Sequence, residues 1–237
     1  MYFRRTRKLD LPINLQKEIL SEINGNLLRP TGMDELANMP PLQQLLDNIV
    51  NLPPERQPTS EEIEYKKALY GATNLKGWEL SEKLTADIYK HYDSFLKMVP
   101  DDPKIFIKYI ISSTGKFHLH CGKAQLSSLT CLIRGEGPET VWYEPKPEFY
   151  KKYRAPAGSK HRNTKGINAY PPDAERITSI KLKPWEMIFF DHNSLHEVEG
   201  IFDGFDRILF SIGFLNITET ELEDIYDEWH TKNKKDQ

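Results

Sequence analysis

A chain of 237 residues with 38% hydrophobic and 11% aromatic side chains can fill a sizeable core, and 32 basic against 35 acidic residues leave a net charge of only −3. That balance excludes an overall electrostatic pull toward nucleic acid or a membrane surface, and no run of about eighteen apolar residues marks a membrane span. Cys121 and Cys131 are too few for a disulfide framework and lack the second pair of a structural zinc site, so both are expected as reduced thiols in a cytoplasmic protein.

The opening MYFRRTRKLDLP carries the basic residues of a secretory leader, but no apolar stretch follows it. NLQKEILSEING, residues 14–25, spaces its apolar residues as a helix does and ends on Asn24 and Gly25. PLQQLLDNIVNLPPE, residues 41–55, repeats the pattern between prolines. After proline-rich NLPPERQPTS, Ser60 followed by Glu61 and Glu62 is expected to cap another helix, and residues 79–100 read as a long amphipathic one ending at Pro100. Residues 1–100 are thus expected to form a helical layer.

From Lys104 the period changes to two. KIFIKYIISS, FHLHC, LSSLTCLIRG, TVWYEP, ITSIKLK, EMIFFDH and RILFSIGFLNI are strand-like runs of branched and aromatic residues separated by turn residues. They predict a β-sandwich or barrel over 101–218. Residues 146–176 interrupt it with a basic, aromatic segment of no sustained period, which reads as a lid or binding loop. Residues 219–237 read as a C-terminal helix with a charged tail. The whole is α+β.

Residues two apart on a strand share a face, so His118 and His120 project together, and His196 and Arg207 follow near later strands. Neutral imidazoles suit iron, zinc and copper alike. Spacing alone leaves open a metal site or ordinary strand-end histidines. For Arg207 the bland alternative is a surface ion pair with Asp203 or Asp206. Asp191 is a rival carboxylate ligand, and His192 lies four residues before His196. His91, His161 and His230 read as surface residues.

HCGKAQLSSLTCL (120–132) followed by FFDHNSLHEVEGIFDGFDRILFSIGF (189–214) resembles the aspartyl/asparaginyl β-hydroxylase and proline hydroxylase branch of the iron(II)/2-oxoglutarate-dependent oxygenases. The resemblance covers roughly residues 104–216. It implies a double-stranded β-helix, the jelly-roll core shared with cupins, with the helical N-terminal layer packed on it. It further implies iron(II) held by His120 and His196, 2-oxoglutarate as co-substrate with Arg207 on its far carboxylate, and O2 as oxidant.

A second alignment makes His118 a ligand as well. Where most of that superfamily has a carboxylate two residues after the first histidine, this chain has Gly122, as the aspartyl hydroxylase group also lacks that carboxylate. Ser211, on the face of Arg207, and Thr130 with Ser128 on the neighbouring run are expected to border the co-substrate. The expected substrate is an amino acid, a peptide residue or a related small molecule. An acidic substrate would suit Trp142, Tyr150, Tyr153, Lys151, Lys152, Arg154 and Arg162. Halogenation at the same centre, with chloride at the Gly122 position, and a non-catalytic ligand-binding jelly roll are the alternatives. Cys121 should point away from the metal.

Overall fold

Branched and aromatic residues in alternation pack well on a pleated surface, and from Lys104 onward they build the centre of the molecule. The computed structural model describes residues 2–30, 54, 57–69, 73–112, 126–147, 171–200 and 206–235. In order, the strands are β1 (Phe3–Arg5), β2 (Arg29–Pro30), β3 (Thr73–Glu79), β4 (Lys104–Ser112), β5 (Ser127–Arg134), β6 (Glu139–Pro145), β7 (Ala174–Lys181), β8 (Ile188–Asp191), β9 (Leu195–Glu199) and β10 (Asp206–Phe214). The helices are α1 (Ile13–Asn24), α2 (Ser60–Leu69), α3 (Glu82–Leu96) and α4 (Glu219–Lys235). Among the described residues no helix is long and apolar enough to cross a membrane.

The strands form a large sheet in the order β1-β8-β5-β10-β4-β3-β2 and a small one in the order β7-β6-β9, with every neighbouring pair antiparallel. From β5 to β10 the chain passes from the large sheet to the small (β6, β7), back to the large (β8), to the small (β9) and to the large again (β10). That winding between two facing sheets is the double-stranded β-helix.

Alternation then divides the large sheet into two faces. Ile208, Phe210, Ile212 and Phe214 of β10, with Leu129, Cys131 and Ile133 of β5, face the helices. There they meet Leu15, Ile19 and Ile23 of α1 and Leu84, Ile88, Tyr92 and Phe95 of α3, residues that recur on one helical face. The opposite face, with Leu132, Ile188, Phe190 and Leu209, meets Trp142 and Ile180 of the small sheet.

Two links fasten the helical layer. Ser81 caps α3, accepting from the Leu84 amide at 3.3 Å, and its own amide donates to the buried Glu22 carboxylate of α1 at 2.8 Å, joined by a Ser81 hydroxyl to Glu22 contact. The cap of α2 is Thr59 rather than Ser60: the Glu62 amide donates to the Thr59 hydroxyl at 3.2 Å, which moves the N-cap one residue earlier than expected. The N-terminal hundred residues are also not purely helical, because β1, β2 and β3 extend the large sheet outward from β8 and β4. Of these, β1 and β2 form the two edges and are three and two residues long, too short to show alternation. The helix expected over 41–55 and the strand over 117–121 lie outside the described residues. Cys131 is a free thiol buried against the helices, where burial raises its pKa.

The last helix starts on a self-capped turn, with the Glu221 amide donating to Thr218 at 3.3 Å and the Thr218 amide donating to Glu221 at 2.8 Å. Beside it, burial first and then Glu223 push the Glu219 carboxyl from an ordinary 4.5 up to about 8, with a smaller push from Asp191. Because the folded value is raised, the contribution of Glu219 to stability is full below pH 4.5, declines as the pH rises and is gone above about 8. Urea unfolding between pH 5 and 8 should therefore show Glu219→Gln gaining on the parent with rising pH, by at most about 1.4 kcal/mol per unit. Parallel pH profiles for the two proteins would refute a buried neutral Glu219.

Candidate functional site between the two sheets

Arg207 is the second residue of β10, on the face that looks at the small sheet, and it is 2% exposed. Its Nη1 and Nη2 each reach the Thr140 hydroxyl at 3.4 Å, long contacts to a neutral oxygen. Among the described residues its buried Nε has no hydrogen-bond partner. The ion pair with Asp206 does not form, since Asp206 instead accepts from Arg134 at 2.7 Å on the outside of the sheet. Among the described residues Arg207 thus has no carboxylate, and burial pushes its pKa down to about 10. A guanidinium kept in an apolar interior against that cost is a ready site for an anion, and its paired donors match a carboxylate.

His196 is the second residue of β9 and is 5% exposed. Its Nδ1 lies 2.8 Å from the Ser194 carbonyl oxygen. A carbonyl only accepts, so Nδ1 carries the proton and Nε2 of the neutral ring carries the lone pair, the tautomer a metal needs at Nε2. The turn offering that carbonyl is built by Asp191, whose carboxylate accepts from the Asn193 amide at 2.8 Å, the Ser194 amide at 3.3 Å and the Ser194 hydroxyl. Asp191, weighed above as a rival ligand, organises the turn that orients His196. Its pKa is raised by burial, against the lowering effect of these hydrogen bonds.

The small sheet relates the two groups in space. Trp142 of β6 pairs with His196 of β9, and Thr140 pairs with Val198. The guanidinium, resting on Thr140, therefore lies one same-face step from the level of His196, two residues or about 7 Å along the strand.

His192 is brought to the same end. Its Nε2 is 2.8 Å from the Ser128 hydroxyl, and its ring centroid is 4.5 Å from Phe190 and 5.8 Å from His196. Thr130 donates its hydroxyl to the Phe210 carbonyl oxygen at 2.6 Å, so it offers a ligand acceptor lone pairs rather than its proton. Ser211 is fully buried on the inner face of β10, and among the described residues its hydroxyl has no partner.

Trp142 is not a surface contact for an acidic substrate. It is 0% exposed, stacks on Phe3 at 5.2 Å and donates Nε1 to the Asp191 carbonyl oxygen at 3.2 Å, because its position in β6 faces the interior. His91 is exposed and His230 half-buried on helices remote from these strands. His118, His120, Cys121, Gly122, Tyr150, Lys151, Lys152, Tyr153, Arg154, His161, Arg162 and Asp203 lie outside the described residues. Three participants went unnoticed in the sequence: Thr140, Ser194 and the turn-building role of Asp191. An Asp followed three residues later by Ser before a strand is a readable turn signal for the last two.

No family model and no curated protein sequence matches the chain. Among solved structures it is similar to ycfD of E. coli, with 17% identity and a TM-score of 0.36 over 64% of this chain and 36% of that one. It is also similar to vicilin of hazelnut, Corylus avellana (8%, 0.29, 60% and 28%). A third likeness is to SnoK, titled a non-heme alpha ketoglutarate dependent carbocyclase from nogalamycin biosynthesis (9%, 0.38, 70% and 85%). The chain spans about a third of the length of the first two. Likenesses this distant assign no activity.

Proposed function

We propose that this chain is an iron(II)- and 2-oxoglutarate-dependent dioxygenase that hydroxylates an amino acid, a peptide residue or a related small molecule. Within that class the reading favours the aspartyl/asparaginyl β-hydroxylase and proline hydroxylase branch. The observation that carries it is the buried Arg207 guanidinium, unpaired with any carboxylate among the described residues, one same-face step from a histidine fixed in a metal-binding tautomer. A non-catalytic jelly roll gains nothing from such a charge unless it too binds an anion.

The donor set fits the group the reading requires. His196 offers Nε2 to iron, and His120 is proposed as its companion, joined in the second alignment by His118 as a third ligand. Both would come from the stretch joining β4 to β5, two strands that flank β10. When bound, iron and 2-oxoglutarate supply the activation of dioxygen. The chain's own residues do the rest. Arg207 forks onto the distal carboxylate and fixes the length and direction of the co-substrate. The Asp191 turn keeps His196 from rotating. Trp142, Phe190, Leu209 and Val198 keep water from the space between them.

Two expectations follow. Supplied with iron(II) and 2-oxoglutarate alone, the parent should release succinate slowly, and His196→Ala should reduce that by at least ~100-fold; equal release by both would sink the metal assignment. Removing an uncompensated buried charge should stabilise the empty fold, so Arg207→Met should unfold at higher urea, by about 1–3 kcal/mol, while losing all thermal stabilisation by 2-oxoglutarate. A less stable Arg207→Met, or one still stabilised by 2-oxoglutarate like the parent, contradicts the reading. Stabilisation of the parent without succinate release would leave a carboxylate-binding module.

A further inference from the structure

Alternation along β10 turns Arg207 inward, and beside it lies a local irregularity where β5 and β10 part. Along most of their length the two strands pair one to one, but the register shifts between Ile208, opposite Arg134, and Leu209, opposite Leu132. Ile133 is the extra residue of a β-bulge, which bends the strand and increases its twist at this point. Immediately beyond, Gly135 has φ +96°. A Cβ added there would lie 2.6 Å from the Asp206 carbonyl oxygen, 2.9 Å from the Arg207 Cα and 3.1 Å from the Arg207 Cβ. The backbone that carries the guanidinium therefore rests on the bare face of this glycine, closer than any side chain permits.

We propose that Gly135 is a positioning residue for the ligand carboxylate: it lets Asp206 and Arg207 close onto the end of β5 and thereby sets the direction in which the guanidinium enters the roll. The inference rests on Arg207 being the carboxylate site. Its physical basis is leverage. A Cβ at residue 135 displaces main-chain atoms rather than a flexible side-chain tip, and the guanidinium sits at the far end of a long side chain rooted at the displaced Cα. Paired hydrogen bonds to a carboxylate tolerate only about 0.5 Å and 10–20° of misplacement. The Arg134–Asp206 ion pair at 2.7 Å spans the same junction, but both side chains are about half exposed, at 56% and 47%, and it contributes little.

The same turn contains its own control. Gly137 has φ +113°, and a Cβ there meets nothing within 4 Å. Gly135→Ala and Gly137→Ala both force a side chain to positive φ and should both lower the thermal midpoint of the free protein, but only the first touches Arg207. Equilibrium titration of 2-oxoglutarate into the manganese-loaded full chain should give Gly135→Ala a Kd at least ten times that of the parent. Gly137→Ala should stay within about twofold. Gly135→Asn tolerates positive φ while keeping the Cβ, and it should weaken binding like Gly135→Ala, serving in its place if that variant does not fold. Parent-like affinity in a folded Gly135 variant, or equal loss in Gly137→Ala, overturns the positioning role while leaving the carboxylate site standing. No binding by the parent itself overturns both.

Discussion

A positive charge sealed between two apolar sheets is unstable unless something anionic meets it, and the interior of this jelly roll is arranged around that tension. The Thr140 hydroxyl at 3.4 Å relieves little of it. The surrounding residues do not dilute the charge: Trp142, Leu209 and Val198 keep the local dielectric low, which strengthens whatever the guanidinium binds. The same walls that make the empty site costly make the filled one selective. A neutral ligand of equal shape would leave the guanidinium uncompensated.

The rest of the architecture holds that group in place. β10 lies between β4 and β5, and its helix-facing residues Ile208, Phe210, Ile212 and Phe214 are locked by α1 and α3, so its inner face cannot rotate. β9 and β6 present His196 and Thr140 on a shared pleat, which sets the distance between imidazole and guanidinium through backbone hydrogen bonds rather than flexible side chains. The Asp191 turn is the exception. There a short polar segment carries the orientation of His196, through a carboxylate whose acceptors are engaged by Asn193 and Ser194. This is the place where a small change reaches the imidazole without touching the core.

Much of this was legible in the chain. β4, β5, β6 and β10 are long enough, and rich enough in branched residues, for their alternation to stand out, and Leu84, Ile88, Tyr92 and Phe95 announce α3 by spacing alone. Arg207 stood out because a charge in so apolar a strand needs an anion. β9 was read only as the stretch after a strand, being five residues long and preceded by the polar Asp191–Ser194 turn. The edge strands β1 and β2, three and two residues long, were missed because they are too short to carry a pattern, and β3 because TNLKGWE is poor in branched residues and has Gly77 in mid-strand. The role of Gly135 depends on which strand lies across it, and the His192–Ser128 contact joins residues 64 positions apart; neither leaves a local trace. Trp142 was grouped with the side chains of the basic segment as a substrate contact, whereas its place in β6 buries it against Phe3 and Phe190.

The central place of β10 also bears on how the chain acquires its shape during synthesis. The strands on either side of it are made some seventy or more residues earlier, and until residues 206–214 emerge they have no partner between them. Closure of the large sheet is thus a late, long-range event, of the kind that slows folding and leaves strand edges exposed to other nascent chains. The strand that ends this exposure is the one that brings in Arg207, so the buried charge is enclosed only when the sheet itself closes.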